Sequence, residues 1–412
     1  MTIRSGSPVP AASGAARRTL SQGSAIRFVI FLGLVSLFAD MTYEGGRSIT
    51  GPYLELLGAS ATVVGVVAGI GELLGYGLRL ASGYLSDRTG RYWTITIVGY
   101  AINVLAIPAL ALTGNWPAAV ALMMLERTGK AVRKPARDAM LAHASSEMGR
   151  GWGFGLHEAM DQTGALIGPL IVALVLHARG GQYRVAFAVL IVPALLAVTV
   201  LLMARAQYPR PADLEVKHAE FQTRGVPHTF WMYAVGSALI AAGYADFPLI
   251  AYHFAKASIV TPAGIPILYA VAMGTAGITA LAAGRLFDRV GLPVLIGAAA
   301  LAAAFAPLVF LGGVTLAVAG MVLWGIGMGV QDSILRAALA AMVAADRRAA
   351  AYGVFDTVFG GAWFVGSALM GVLYDRSRLA LVAFSVVAQL AALPVLFLVA
   401  RQMRRTSSPG SR

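Results

Sequence analysis

A chain of 412 residues that is 58% hydrophobic and 12% charged, with a mean hydropathy of +0.74, is composed for lipid, because soluble domains carry about 25% charged residues. The net charge of +13 lies in short loops between apolar runs, without a compact basic domain or stacking aromatics, which argues against a nucleic-acid partner. The absence of cysteine excludes disulfides, zinc–thiolate sites and thiol catalysis.

In chain order, residues 1–27 are rich in Ser, Ala, Gly and Arg and have no separate short apolar core with a cleavage site, so a disordered tail is expected. Six apolar runs follow at 28–50, 60–83, 93–113, 117–139, 152–177 and 184–204, each near the ~20 residues that a crossing helix needs. Residues 205–228 are the long internal polar stretch, with Pro209, Pro211 and Pro227, and read as a linker. Six further runs occupy 229–254, 263–284, 293–313, 316–340, 349–373 and 378–400, and 402–412 form a second tail. The expected fold is therefore an all-α membrane protein of twelve transmembrane helices in two pseudo-symmetric six-helix bundles, 28–204 and 229–401. Basic residues crowd the loops on one side (Arg88, Arg91, Arg133, Lys134, Arg137, Arg285, Arg289, Arg401), whereas Arg179, Arg184, Lys256, Arg376 and Arg378 mark the other. By the positive-inside rule both termini are expected in the cytoplasm, with the protein in the plasma or inner membrane.

One short pattern is written twice. Gly83-Tyr84-Leu85-Ser86-Asp87-Arg88-Thr89-Gly90-Arg91 returns as Gly284-Arg285-Leu286-Phe287-Asp288-Arg289-Val290-Gly291, and 288 − 87 = 201, close to half the chain. Each copy falls between the second and third run of its half, as in a duplicated bundle. Gly83 is expected to permit close helix approach, Gly90 to supply a positive φ, and Asp87 to face a helix N-terminus.

This loop resembles the signature loop of the major facilitator superfamily, and the similarity extends over about residues 26–401. Gly164-Ala165-Leu166-Ile167-Gly168-Pro169 is similar to the antiporter motif of its drug-exporting branches, although Ile171-Val172 replace the usual glycine pair. The stretch from Arg127 through Arg137-Asp138 to Gly155–Asp161 resembles a bacterial, efflux-like and largely uncharacterised subgroup. The resemblance implies secondary transport by alternating access, without a cofactor and without enzymatic activity. It also implies that Asp87, with Gly83, Arg88, Gly90 and Arg91, latches the cytoplasmic ends of the two halves; Asp288 and Arg289 form a degraded second copy ending in Leu292-Pro293.

Ionisable groups in mid-membrane cost at least about 2.5–3.5 kcal/mol each and mark function by default. Asp40, Glu44 and Arg47 share one face of the first helix, where Glu44 and Arg47 can pair and leave Asp40 needing a partner. On the fourth helix Arg127 sits near mid-span and needs a carboxylate, with Asp40, Glu44, Glu158 and Asp161 as candidates because the family fold gathers helices one, four and five around one cavity. Lys130 accompanies it, whereas Arg133, Lys134, Arg137 and Asp138 are expected to snorkel to the surface. Glu72 stands near mid-span of the second helix, two turns from Arg79, and either lines the cavity or forms an interhelical pair. In the second half Asp246, Asp332 with Arg336, and Asp356 repeat a reduced version of the layout. Asp40, Glu44, Glu158 and Asp161 are the expected proton carriers, and Arg47, Glu72, Arg127, Lys130, Asp246 and Asp332 the expected cavity lining.

The six histidines show no pair at metal-ligand spacing, so no resident metal is expected. The function that follows is proton-coupled efflux of a small organic, amphipathic compound by a monomer in the bilayer. Alternatives are proton-coupled uptake of a polar or anionic solute, attracted by Arg47, Arg127 and Lys130, or export of a divalent metal.

Overall fold

The computed structural model describes residues 22–146, 150–209, 227–343 and 348–406. Its helices are α1 (Gln22–Leu56), α2 (Ala61–Thr89), α3 (Tyr92–Ala109), α4 (Trp116–Ser146), α5 (Arg150–Ala178), α6 (Tyr183–Val189), α7 (Ile191–Gln207), α8 (His228–Gly243), α9 (Phe247–Lys256), α10 (Gly264–Val290), α11 (Pro293–Ala302), α12 (Phe305–Leu311), α13 (Val314–Met342), α14 (Arg348–Arg376) and α15 (Arg378–Thr406). The pairs α6–α7, α8–α9 and α11–α12 each make a single crossing. In each pair a proline lies in the first turn of the second helix: Pro193, Pro248 and Pro307. Proline lacks the N–H that would continue the ladder, so the helix breaks just before it.

Among the described residues eleven crossings are long and apolar enough to span a membrane on composition alone. The twelfth, α4, fails that test because Glu126, Arg127, Lys130, Arg133, Lys134, Arg137 and Asp138 lie within it. Its position supplies the remedy: α4 is enclosed by α1, α2, α3 and α5, so its charges face protein groups rather than lipid.

Several boundaries differ from expectation. The first helix begins at Gln22, inside the segment assigned to the tail, and α15 continues to Thr406. Residues 1–21, 407–412 and most of the linker (210–226) lie outside the described residues. The fourth helix runs seven residues past the expected 139, to Ser146, which carries its basic end into the bundle instead of the surface.

Small residues set the helix spacing. A side chain at Gly164 or Gly168 of α5 would strike the backbone of Leu37 or Met41 on α1, so the two helices touch main chain to main chain. The second half repeats this at Gly366 of α14 against Ala242 of α8, and 366 − 164 = 202. The halves meet through α1–α9, α2–α14 and α5–α10, pairs that exchange when the halves are swapped. Contacts between them concentrate where α1 ends and α2 begins. There a Cβ on Gly51 would lie 2.9 Å from the Tyr252 nitrogen, and one on Gly69 would lie 2.9 Å from the Phe364 Cα. The Tyr252 hydroxyl donates to Ala59 O at 3.2 Å, and the Asp375 carboxylate accepts from Thr62 N at 2.8 Å and Thr62 Oγ1 at 2.7 Å. This far face is shut, while the opposite face, which carries the α2–α3 turn, is open.

Both copies of the repeated turn end a helix on a glycine of positive φ, but with different ψ. Gly90 (φ 64°, ψ 6°) is a left-handed cap, whereas Gly291 (φ 76°, ψ −148°) leaves the helix extended; their N–H groups donate to Ser86 O at 2.9 Å and Phe287 O at 2.8 Å. Gly83 does not behave as expected: a Cβ there would meet only Pro135 Cβ at an ordinary 3.6 Å, so no close approach depends on it.

Gly168→Val should therefore overpack the α1–α5 seam by about 1–3 kcal/mol and lower the melting temperature in detergent. Gly75→Ala, where the added atom meets nothing within 4 Å, should leave it unchanged or slightly higher.

Candidate functional site

Between the halves lies a cavity of about 590 Å3, lined by groups on the turn-face portions of α1, α2, α4, α5, α10, α13 and α14. Its walls are unlike. The first half contributes charge (Asp40, Glu44, Arg47, Glu72, Arg79, Lys130, Arg133, Lys134, Arg137, Glu158, Asp161), and the second mainly Tyr269, Met273, Met328, Phe355, Phe359 and Trp363, with Asp332, Arg336 and Asp356 among them.

The deepest layer centres on α1. Asp40, Tyr43, Glu44 and Arg47 fall on one helical face, and each reaches a different partner. The Arg47 guanidinium pairs with Asp246 at 2.6 Å and lies 3.6 Å from Glu72. Asp246 also caps α9 by accepting from Phe247 N at 3.0 Å, so the α8–α9 break turns a helix start into an anchor for the other half. Glu44 accepts the Tyr269 hydroxyl at 2.5 Å, again across the halves. The Tyr43 ring takes Lys130 Nζ at 3.3 Å from its centroid, with Arg127 at 5.3 Å and Arg47 at 5.9 Å.

Arg127 meets Glu72 at 3.1 Å and Glu126 at 3.6 Å, not any of the four carboxylates expected for it. Nor do Glu44 and Arg47 pair with each other; helix α9 supplies the better partner for Arg47. Glu72 thus both lines the cavity and bridges Arg47 to Arg127, joining the two readings of it.

A second layer surrounds Asp40. Arg133 approaches it at 3.8 Å, and Asp161 of α5 lies within hydrogen-bond reach. Arg133 is only 2% exposed and stacks over Tyr100 at 4.1 Å; its Nε donates to Asn103 Oδ1 at 3.1 Å, while Asn103 Nδ2 donates to Glu126 at 2.6 Å. Arg137, 8% exposed, holds Asp138 at 2.7 Å and donates to Ser36 Oγ at 3.1 Å. Neither arginine snorkels, because α4 continues past them and the bundle closes over their stems. Ser36 also contacts His157 at 2.9 Å, so that histidine belongs to the packing between α1 and α5.

The outer layer is looser. Arg79 lies over the Tyr76 ring at 5.0 Å, Glu158 receives the Gln162 amide at 3.0 Å, and Arg336 stands 3.9 Å from Asp356. On the turn face Arg88, Arg91, Asp288 and Arg289 are exposed. The Asp87 side chain lies outside the described residues. Among the described residues no group of three or more His, Asp or Glu side chains is placed to hold a metal ion.

Expected site residues Asp40, Glu44, Arg47, Glu72, Lys130, Glu158, Asp161 and Asp332 come together around one cavity, and Arg127 and Asp246 stand directly behind it. Sequence reasoning missed Tyr43, Asn103 and Tyr269, and assigned Arg133 to the surface. Tyr43 carried a signal, since it shares the face of Asp40, Glu44 and Arg47. Tyr269 carried none, because its partner is 225 residues away.

The sequence model of the Major Facilitator Superfamily matches residues 30–247. An uncharacterised protein of Mycobacterium tuberculosis (strain ATCC 25618 / H37Rv) is 43% identical over 392 residues, 94% of this chain and 95% of its own length. An uncharacterised MFS-type transporter of Methanocaldococcus jannaschii is 26% identical over 386 residues, 90% of this chain and 94% of the relative. Among solved structures, a mutant of the peptide transporter POT superposes with a TM-score of 0.76 at 15% identity, covering 94% of this chain and 99% of that one. A bacterial homologue of the human lysosomal transporter Spinster, inward-facing and unoccupied, gives 0.72 at 15% identity over 94% and 99% of the two chains.

Arg47→Gln would leave buried Asp246 without its cation and should cost about 3–5 kcal/mol in denaturant unfolding, as breaking a buried pair does. Arg47→Gln combined with Asp246→Asn should recover most of that loss, because no orphaned charge remains.

Proposed function

This chain belongs to the major facilitator superfamily and is a secondary transporter rather than an enzyme, and from that premise we propose that it exports a small amphipathic organic compound in exchange for protons. The observation that carries this reading is the Asp40–Asp161 pair beside Arg133 in the wall of the open cavity. Two carboxyl groups within hydrogen-bond reach favour sharing one proton, since both cannot comfortably ionise together. The Arg133 guanidinium stabilises whichever carboxylate remains charged.

The α1 face gives such a proton a mechanical consequence. Asp40, Glu44 and Arg47 follow one another at one-turn spacing, and the last two hold Tyr269 and Asp246 of the opposite half. A change of charge at Asp40, or at Glu44, alters the face on which the two halves are clamped. Release of Arg47 from Asp246 would free the far face to open. Closure of the turn face would then engage the Asp87 region, with Gly83, Arg88, Gly90, Arg91, Asp288 and Arg289, as a latch. Close contact of Gly164 and Gly168, ahead of Pro169, with α1 makes α1 and α5 move as one body, so Asp40 and Asp161 travel together.

The exposed Arg88, Arg91, Arg285 and Arg289 support a cytoplasmic turn face, with both termini on that side of the plasma membrane and the cavity open inward. A monomer contains the whole site. Export is favoured over uptake of an anion because Arg47 and Arg127, two of the three cations expected to attract one, are already neutralised by Asp246, Glu72 and Glu126.

Inverted vesicles with an imposed pH gradient and a panel of amphipathic compounds test the reading. A transported compound should dissipate the gradient in the native protein, at least tenfold more slowly in Asp40→Asn, and likewise in Asp161→Asn. Unchanged pH dependence in both variants would reduce the pair to a static structural role. Uptake into right-side-out vesicles only with co-moving protons would reverse the direction.

A further inference from the structure

Four charged side chains at the mouth of the cavity have no counter-ion. Among the described residues, no carboxylate stands at ion-pairing distance from Arg79 of α2 or Lys134 of α4, and no cation at that distance from Glu158 of α5 or Asp332 of α13. Arg79 Nε is buried without a hydrogen-bond partner. Of the other charged lining, Arg137 pairs with Asp138, Arg133 with Asp40 and Arg336, more loosely, with Asp356, while deeper in the cavity Lys130 lies on the Tyr43 ring and Glu44 accepts the Tyr269 hydroxyl.

All four line the one cavity, two cations and two carboxylates. The charged group acting most strongly on Lys134 is Arg79, ahead of Asp138, Arg137 and Arg336. The one acting most strongly on Asp332 is Glu158, ahead of Lys134, Arg336 and Arg47. One cationic and one anionic pair therefore face the same cavity, close enough for Lys134 to act on Asp332. Like charges held side by side repel, and a ligand group of the opposite sign relieves each pair with both of its members still charged. A ligand that is only an anion leaves Glu158 against Asp332, and one that is only a cation leaves Arg79 against Lys134. Behind them, Phe355 and Phe359 stack at 5.8 Å and Trp363 continues the same wall, an apolar surface with no charge to satisfy.

We propose that the carried compound is a zwitterion with an apolar body, its acidic group held between Arg79 and Lys134, its cationic group between Glu158 and Asp332, and its body on the Phe355–Phe359–Trp363 wall. This inference rests on the reading of the cavity as the substrate site, but it makes no use of proton coupling or direction.

Binding to the purified full chain in lipid nanodiscs, at one pH and without a gradient, tests it. Four probes share a naphthyl body: 2-naphthylacetate, 2-(2-naphthyl)ethylamine, 2-naphthylalanine and the dipeptide 2-naphthylalanylglycine, the last two carrying both charges at different separations. At least one zwitterion should bind tenfold or more tighter than either singly charged probe. Arg79→Gln or Lys134→Gln should reduce the zwitterion to the affinity of the amine; Glu158→Gln or Asp332→Asn should reduce it to that of the acid. The readout is a ratio between ligands of one preparation, so general misfolding, which weakens all four alike, does not imitate it, and Arg79→Lys should restore most of the preference. Singly charged probes binding as tightly as both zwitterions, or ratios unmoved in all four variants, would overturn the proposal. Displacement by lysophosphatidylethanolamine would identify the zwitterion as a lipid headgroup, and its failure to compete would identify a soluble solute; both meet the same charge requirement. Zwitterion-selective binding without gradient collapse in vesicles would sink the coupling reading alone, whereas gradient collapse driven by a singly charged compound would sink this one alone.

Discussion

Charge that is carried into a membrane must be neutralised inside the protein, and this requirement organises the rest of the bundle. Each ionisable group at membrane depth costs at least about 2.5–3.5 kcal/mol when left to lipid. Helix α4 carries seven such groups, and it is tolerable only because α1, α2, α3 and α5 surround it. Its arginines then find partners one by one, Arg127 in Glu72 and Glu126, Arg133 in Asp40 and Asn103, Arg137 in Asp138 and Ser36, although one terminal nitrogen of Arg133 stays buried without a hydrogen bond. The first half is thus a charged scaffold folded around one polar helix, and α1 reads that helix on one side and the opposite half on the other.

The second half meets this scaffold with a different chemistry. It sends two groups into the deep layer, Asp246 at a helix break and Tyr269 from α10, and otherwise presents mainly aromatic and sulfur side chains, with Asp332, Arg336 and Asp356 among them. The division follows from duplication with divergence. Both halves keep the glycine-capped turn and the glycine crossing, which depend on backbone geometry, while only the first keeps a dense set of charges. A cavity with one charged and one mainly aromatic wall results.

Much of the fold was legible in the chain. Apolar runs of span length, a turn recurring 201 positions on, and the glycine at its end are local properties, and the structure bears out the helical crossings and the positive φ at Gly90. The breaks before Pro193, Pro248 and Pro307 were also local, but an apolar run hides them, because hydropathy does not register a missing N–H. Within the site, the membership of Asp40, Glu44, Arg47 and Glu72 could be read from depth and helical spacing. Their partners could not. Glu44 and Arg47 stand at pairing distance in sequence, yet each finds a better-placed group 225 and 199 residues away.

The sequence by itself determined that this is a duplicated, all-helical membrane protein, which face of α1 is polar, and where charges enter the bilayer, because composition, period and capping act within a few turns of chain. Only the tertiary structure decided which charges neutralise each other, that Arg133 and Arg137 are buried instead of reaching the surface, and that Arg79, Lys134, Glu158 and Asp332 are left for something else to satisfy. An ion pair forms wherever packing places opposite charges within a few ångströms, and the packing of helices far apart in sequence fixes that distance.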